Sequence, residues 1–241
     1  MTSFQTTNKF EDNIGMGMLR EENKASGKQT VLHVCCGPCA SACVPRLKDA
    51  GRKVTMLFAN SNIDTAEEFE HRRAEAERLA AHDGVAFASL PYDHADWLEK
   101  VAKGFEDAPE KGERCARCFR YNLGKAAEWA AAHGFDSFTT SLTVSPHKPS
   151  EMVFAAGREV AEKGDAAFLP EDFKKREGFK LSVVRAKELG LYRQSYCGCE
   201  FSKMPWRLHE EAAEGSSSRN LGEYAVSARS DLRSASSPIS P

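Results

Sequence analysis

The 241-residue chain lacks the features that mark membrane-spanning, secreted and nucleotide-dependent proteins. It has no run of about 18 apolar residues, so no transmembrane helix and no membrane partner are expected. Its first residues contain no apolar stretch of the kind that a secretory signal needs, and a cytoplasmic location is expected. No G-x-G-x-x-G or P-loop pattern occurs, so no motif indicates NAD or ATP. A net charge of -2 gives no overall sign of a nucleic-acid partner.

Cysteine, by contrast, is plentiful, with eight residues in the chain. Thiols stay reduced in the cytoplasm, where structural disulfides are rare. Eight cysteines in such a protein therefore indicate metal or redox chemistry and not a disulfide framework.

Strand-like and helix-like segments alternate through the middle of the chain. The pattern predicts strands at 29–36, 53–59, 85–90 and 137–142, and helices at 40–50, 65–84, 93–103, 115–133 and 150–163. Such alternation predicts an α/β fold with one parallel sheet covered by helices on both faces. A single catalytic domain is expected at 29–208. A loose leader at 1–28 and a Ser-rich disordered tail at 209–241 would flank it.

The stretch from Thr30 to Cys39 reads T-V-L-H-V-C-C-G-P-C, and its two adjacent cysteines follow an apolar strand. In a parallel sheet, ligands bind beyond the carboxyl ends of the strands. Thiolates gathered at that edge suit an iron–sulfur cluster or a zinc ion, and the alternative is a set of buried core cysteines. His33 in this stretch is expected to be a hydrogen-bonded core residue.

A second cysteine pair, Cys115 and Cys118, has the C-x-x-C spacing that aims two sulfurs at one metal centre. It is expected at a loop-to-helix junction, where the positive end of the helix favours thiolate. Together with Cys35 and Cys36 it makes four ligands, in a spacing that is not that of a zinc finger. Of the remaining two, Cys43 is expected in the core, while Cys39 could ligate a second metal.

The third cysteine group is Y-C-G-C, with Cys197 and Cys199 separated by one glycine. This spacing permits a strained disulfide, and strained bridges are easily reduced and hence redox-active. The alternative is two more metal ligands.

The segment 174–193, called the basic segment here, holds seven Lys and Arg residues and two Glu. Such a stripe could lie along an RNA backbone, and its aromatic residues could stack on unpaired bases. The alternative is a solvated basic face. The residues predicted to contact RNA are Lys174, Lys175, Arg176, Tyr192 and Arg193.

Six motifs, in order, resemble those of the QueH type of epoxyqueuosine reductase over about residues 29–203. They are H-V-C-C-G-P-C, N-S-N-I with E-E-F-E-H-R, R-C-A-R-C-F, F-T-T-S-L-T-V-S-P-H-K, D-F-K-K-R-E-G and L-Y-R-Q-S-Y-C-G-C-E-F-S. The resemblance implies a Rossmann-like (HUP-like) fold. It also implies cobalamin-independent removal of the epoxide oxygen of epoxyqueuosine at the tRNA wobble position, the last step of queuosine biosynthesis.

The resemblance further implies a 4Fe–4S cluster on Cys35, Cys36, Cys115 and Cys118, and a redox-active disulfide between Cys197 and Cys199. An additional mononuclear iron has been associated with the family, and Cys39 is placed to ligate it here. An unidentified electron donor is needed, and proton donors are sought among Tyr192, Tyr196, His147 and Lys148. Two other functions are weighed beside the reductase: a cluster-dependent tRNA thiolase and a zinc-stabilised RNA-binding module.

Overall fold

The computed structural model describes residues 27–203 of the chain. The predicted tail at 209–241 and nearly all of the predicted leader at 1–28 lie outside these residues. Within them the chain forms the following elements in order: β1 Gln29–Val34, α1 Gly37–Asp49, β2 Lys53–Phe58, α2 Ala66–Asp83, β3 Ala86–Ser89, α3 His94–Trp97, a π-helix Leu98–Ala102, α4 Glu113–Ala132, β4 Ser137–Thr140, a 3-10 helix Ser141–Val144, α5 Ser150–Ala161, β5 Ala167–Phe168, α6 Gly178–Glu188 and a 3-10 helix Glu200–Ser202.

The five strands form one parallel sheet in the order β3-β2-β1-β4-β5. This confirms the predicted α/β class and gives the strand order of a Rossmann-like sheet. The chain runs outward from β1 to β3, then crosses to the other side of β1 to form β4. The strand order therefore reverses between β1 and β4, and a crevice at their carboxyl ends is where such folds bind ligands.

Helices cover both faces of the sheet, as the alternation predicts. Neighbouring side chains of a strand point to opposite faces, so Leu32 and Val31 enter different cores. Leu32 packs in the layer formed with α1, α2 and α6. Val31 packs with Phe138 in the layer formed with α4 and α5. Within residues 27–203, no helix has both the length and the apolar character needed to cross a membrane.

The helix ends follow from local sequence signals. Thr65 caps α2 because its Oγ1 accepts a hydrogen bond from the backbone N–H of Glu68 at 3.2 Å. Gly84 ends the same helix with a left-handed backbone at φ 61°, which a residue without Cβ adopts at little cost. Both ends were predicted from the sequence.

One strand and one α-helix were not predicted. The strand β5 has only two residues, too few to show a period. The helix α6 lies inside the basic segment. Its small side chains Ser182 and Ala186 are buried, and α6 packs against α1.

One arginine holds the loop that leads into α6. Arg46 on α1 donates hydrogen bonds to the carbonyl groups of Phe173 at 3.0 Å, Lys175 at 2.9 Å and Arg176 at 2.8 Å. Gly178, at the start of α6, approaches the same loop so closely that an added Cβ would lie 1.6 Å from the Phe173 carbonyl oxygen. The start of the basic segment is thus fixed to the fold.

Replacing Gly178 by alanine is therefore expected to cost roughly 3 kcal/mol of unfolding free energy, because a backbone group must move out of the way. Urea denaturation measures the change. Gly124, in the middle of α4, is the matched control: an added Cβ there would meet its nearest neighbour, a Val160 methyl group, at 3.8 Å. Gly124→Ala should stabilise the protein by roughly 0.5–1 kcal/mol. Equal stability of Gly178→Ala and the parent chain would contradict the close backbone approach.

Candidate metal centre

The junction of β1 and α1 brings three thiols together. The sulfur atoms of Cys35, Cys36 and Cys39 all lie within 4.8 Å of one another. The first two sulfurs are 3.9 Å apart. Cys36 has an extended backbone and occupies the N-cap of α1, so all three thiols stand at the positive end of that helix. Hydrogen bonding with Cys35 holds the pKa of Cys36 well below its usual range and raises the pKa of Cys39.

One side chain just after β4 and one on β1 itself hold this junction in place. Ser141, just after β4, accepts a hydrogen bond from the Cys35 backbone N–H at 3.1 Å, and its hydroxyl donates to the Cys35 sulfur at 3.4 Å. His33 is fully buried between β2 and β4. Its Nε2 donates to the Ala59 carbonyl at 3.1 Å, so its Nδ1 accepts from the Thr140 hydroxyl at 2.9 Å. Burial lowers the pKa of His33 to about 4, so the ring is neutral, as expected of a satisfied core residue.

The C-x-x-C pair lies in the first two turns of α4, next to the predicted loop-to-helix junction. The Cys115 sulfur accepts a hydrogen bond from the Lys111 backbone N–H at 3.3 Å. The Cys118 sulfur accepts one from Nδ2 of Asn122 at 3.5 Å. Burial raises the pKa of both thiols, so neither ionises readily without a positive charge beside it.

All of these thiols face one cavity of about 360 Å³ at the crevice predicted by the strand order. Seven of the eight cysteines line it: Cys35, Cys36, Cys39, Cys115, Cys118, Cys197 and Cys199. The eighth, Cys43, is buried in the core and directs its thiol to the Cys39 carbonyl at 3.4 Å. Within residues 27–203, one group of three potential metal ligands has its ligand atoms within 4.8 Å of one another. It consists of Cys35, Cys36 and Cys39, and not of a set that includes the C-x-x-C pair.

The Y-C-G-C segment forms a loop on the cavity wall. The Cys197 carbonyl accepts a hydrogen bond from Nη1 of Arg72 at 3.1 Å, and the Gly198 carbonyl accepts one from the Asp64 backbone N–H at 2.9 Å. Gly198 has φ 137°, and an added Cβ would lie 3.0 Å from the side-chain nitrogen of Asn62. Both cysteines of the loop are free thiols here. The disulfide between them stays a prediction.

Lys148 lies near the thiols of the β1–α1 junction and near Cys197 of the Y-C-G-C loop. Its Nζ donates to the Cys197 sulfur at 3.4 Å. Burial lowers the pKa of Lys148, but the charges of Cys197, Cys35 and Cys39 outweigh burial and raise it above its ordinary value. Lys148 is therefore a fixed positive charge that favours thiolate on both sides.

The other three candidate proton donors differ in position. His147 and Tyr196 line the cavity with Lys148, whereas Tyr192 is not among the residues that line it. The Tyr196 hydroxyl donates to Asp64 at 2.8 Å, and burial raises its pKa. The Tyr192 hydroxyl faces the Glu68 carboxylate at 3.3 Å, and burial raises its pKa as well.

The basic segment passes the mouth of the cavity, but its charges are not equally free. Lys174 is half-buried and donates to the carbonyl groups of Ser145 at 3.4 Å and Lys148 at 2.7 Å. Lys175 and Arg176 are exposed. Arg193 is also exposed and lines the cavity, with its guanidinium 5.6 Å from the ring centre of Phe179.

Tyr192, the aromatic residue predicted to contact RNA, already has a ring partner. It stacks on His71 with ring centres 4.0 Å apart. Its backbone N–H donates to Glu75 at 2.8 Å. Its half-buried ring thus belongs to the seam between α2 and the end of the basic segment.

The family model described as "Epoxyqueuosine reductase QueH" matches residues 30–205. The chain belongs to the QueH family. Relatives named "Epoxyqueuosine reductase QueH" include that of Streptococcus pyogenes serotype M1, 35% identical over 79% of this chain and 77% of the relative. That of Haemophilus influenzae is 35% identical over 71% of this chain and 70% of the relative. That of Thermotoga maritima is 34% identical over 78% of this chain and 96% of the relative.

Among solved structures, the chain is similar to the U34-tRNA thiolase NcsA from Methanococcus maripaludis with its 4Fe-4S cluster. The sequence identity is 11% and the TM-score 0.48, over 92% of this chain and 80% of that one.

The QueH cavity also contains residues that the sequence did not single out. Arg72 is 2% exposed, forms an ion pair with Glu68 at 2.6 Å and leaves Nη2 without a hydrogen-bond partner within the described part of the chain. Arg72 closes the E-E-F-E-H-R motif, so the resemblance contained it without assigning a role. Trp97 and Asn122 line the cavity too, and no motif included them.

The residues present fit an iron–sulfur cluster as judged by their chemistry. Seven thiols that face one cavity would be costly to ionise together without a metal centre. Soft thiolates are the ligands that iron–sulfur clusters use.

Proposed function

We propose that this QueH-family chain removes the epoxide oxygen of epoxyqueuosine at the wobble position of tRNA, leaving queuosine and water. The reaction consumes two electrons and two protons. The observation that carries the proposal is the convergence of seven thiols on one cavity at the sheet's ligand-binding edge. The reaction belongs in the cytoplasm, where tRNA is found and thiols stay reduced.

Four thiols would hold the 4Fe–4S cluster: Cys35 and Cys36 after β1, and Cys115 and Cys118 at the start of α4. A bound cluster supplies single electrons at low potential. Cys39, the third member of the close thiol triad, would ligate the additional iron. Lys148 offsets negative charge on both sets of thiols.

The dithiol loop would store the electrons that one turnover needs. Oxidation of Cys197 and Cys199 to a disulfide releases two electrons and two protons, which matches the epoxide reduction. A raised pKa makes Lys148 a poor proton donor, so its role here is to place a positive charge 3.4 Å from the Cys197 sulfur. Arg72 fixes the loop through the Cys197 carbonyl.

The exposed part of the basic segment would contact the anticodon loop. Lys175, Arg176 and Arg193 present cations to solvent. Arg193 also lines the cavity, and Phe179 offers a ring beside it. Phosphate contacts position an RNA, whereas stacking on aromatic rings suits its unpaired bases. Lys174 supports this surface from within, because its ammonium group is committed to two carbonyl groups.

A single-turnover assay tests the proposed reaction. Protein reconstituted with iron and sulfide without oxygen is mixed with tRNA that contains epoxyqueuosine, and the nucleosides are analysed by mass spectrometry. We expect loss of one oxygen atom from epoxyqueuosine and a broad visible absorption that bleaches with dithionite. A colourless zinc protein that leaves the nucleoside unchanged would contradict the proposal and favour the RNA-binding module.

Charge reversal at Lys175 and Arg176 together is expected to weaken tRNA binding about tenfold and to flatten its salt dependence, because phosphate contacts are lost. Equilibrium binding at several salt concentrations measures both effects. The matched control reverses Lys28 and Lys163, two exposed lysines beyond the amino ends of the strands, opposite the cavity. If both double variants bound tRNA with equal affinity, Lys175 and Arg176 would not be part of the tRNA-binding surface.

A further inference from the structure

A buried indole faces the cavity with an unused hydrogen-bond donor. Trp97 is fully buried and lines the cavity. Its Nε1–H has no hydrogen-bond partner that meets normal geometry within the described part of the chain. The ring belongs to a small apolar cluster against which Cys118 and Cys199 pack. A buried donor of this kind needs an explanation, since leaving one unpaired costs stability.

The backbone around Trp97 is built to keep it there. The π-helix Leu98–Ala102 follows it directly, and the Lys103 N–H reaches back to the Leu98 carbonyl at 2.9 Å. The wider turn allows Trp97 to share one buried cluster with Val101 and Ala102. Single π-turns are unfavourable and occur often at functional sites.

Cys118 packs against this apolar cluster, and its side chain lines the same cavity as the indole. Nδ2 of Asn122 donates to the Cys118 sulfur at 3.5 Å. The Asn122 amide is oriented by a bond to Oδ1 of Asn62 at 2.9 Å. A buried indole on α3 and an amide N–H on α4 therefore border the same cysteine of the cavity.

We propose that Trp97 and Asn122 are positioning residues whose N–H groups stabilise negative charge on the Cys118 sulfur, which raises the reduction potential of the cluster that Cys118 ligates. The inference rests on the proposed function, because it takes Cys118 as a cluster ligand. Reduction adds an electron that spreads onto the cluster sulfurs, and N–H donors to those sulfurs favour the reduced form.

The test is a redox titration of the reconstituted holoprotein, followed by visible absorption and electron paramagnetic resonance. Trp97→Phe keeps an aromatic ring and removes the N–H. We expect a more negative midpoint potential, with the reduction equilibrium shifted about tenfold, which is 59 mV for one electron. Asn122→Ala is expected to shift the potential in the same direction. It keeps a helix-favouring residue in α4 and provides the test if Trp97→Phe does not fold.

Two control variants separate the N–H from packing. Val101→Ala removes apolar contacts in the same cluster but leaves the indole in place. Trp129→Phe makes the same chemical change on α4, where Trp129 stacks on His133 away from the cavity. Both should keep the parent potential.

The outcomes distinguish this inference from the proposed function. A cluster with unchanged potential in both Trp97→Phe and Asn122→Ala overturns the inference and leaves the reductase proposal standing. A shift in Val101→Ala as large as that in Trp97→Phe also overturns it, because packing then explains the effect. Failure of the parent chain to bind any cluster would refute the proposed function itself and this inference with it.

Discussion

Alanine at Cys115 or at Cys118 is expected to abolish the visible absorption of the reconstituted protein and to remove nearly all cluster iron. Each substitution leaves one iron of the proposed cluster without its thiolate at a half-buried site, where water is a weaker ligand for iron than thiolate. Iron and sulfide analysis of protein reconstituted without oxygen measures the loss. Cys43→Ala is the matched control, since Cys43 lies in the core outside the cavity and should keep the full iron content.

The same experiment decides between two sets of ligands. The sequence motifs favour Cys35 and Cys36 with the C-x-x-C pair, whereas the close triad in the structure includes Cys39. On the proposed assignment, Cys39→Ala keeps the cluster absorption and loses only the additional iron. Loss of the cluster in Cys39→Ala, with full absorption in Cys118→Ala, would transfer the fourth ligand position to Cys39.

The main elements were predictable because each carries its own local signal. The apolar strand β1, the Thr65 cap and the Gly84 end of α2 depend on neighbours in sequence, and the structure confirms all three. The helix α6 was missed for a physical reason: it buries small residues against α1 and exposes Leu181 and Val184. Because its large apolar residues are exposed, the spacing of apolar residues in α6 does not mark the face that packs on the core.

The convergence of the thiols depends on topology, which residue types alone do not determine. Cys35 and Cys118 are far apart in sequence and share a cavity because β1 and β4 enclose the point where the strand order reverses. Motif spacing predicted which cysteines matter. It gave no sign of Trp97, whose position depends on a π-turn, or of the inward-pointing ammonium group of Lys174, which a count of charges treats like its exposed neighbours.

Serine at both Cys197 and Cys199 is expected to lower multiple turnover with a physiological reductant by roughly 100-fold, while the cluster absorption stays intact. A disulfide needs both sulfurs, so either single substitution should cost about as much as the pair. The loop geometry supports a dithiol that cycles. Gly198 adopts φ 137° between the two cysteines, a backbone conformation that other residues rarely adopt. Arg72 donates a hydrogen bond to the Cys197 carbonyl at 3.1 Å.

Comparing two assays isolates the role of this dithiol. With excess dithionite kept in the assay and protein in excess over tRNA, conversion of epoxyqueuosine should remain in the Cys197→Ser, Cys199→Ser double variant, because dithionite supplies both electrons one at a time through the cluster. Multiple turnover with the physiological reductant should fail, since no disulfide forms that this donor could reduce again. Full multiple turnover would remove the electron-storing role. Bleaching of the cluster in the double variant would instead identify the two cysteines as ligands, and the seven thiols of the cavity would then divide differently between metal and redox chemistry.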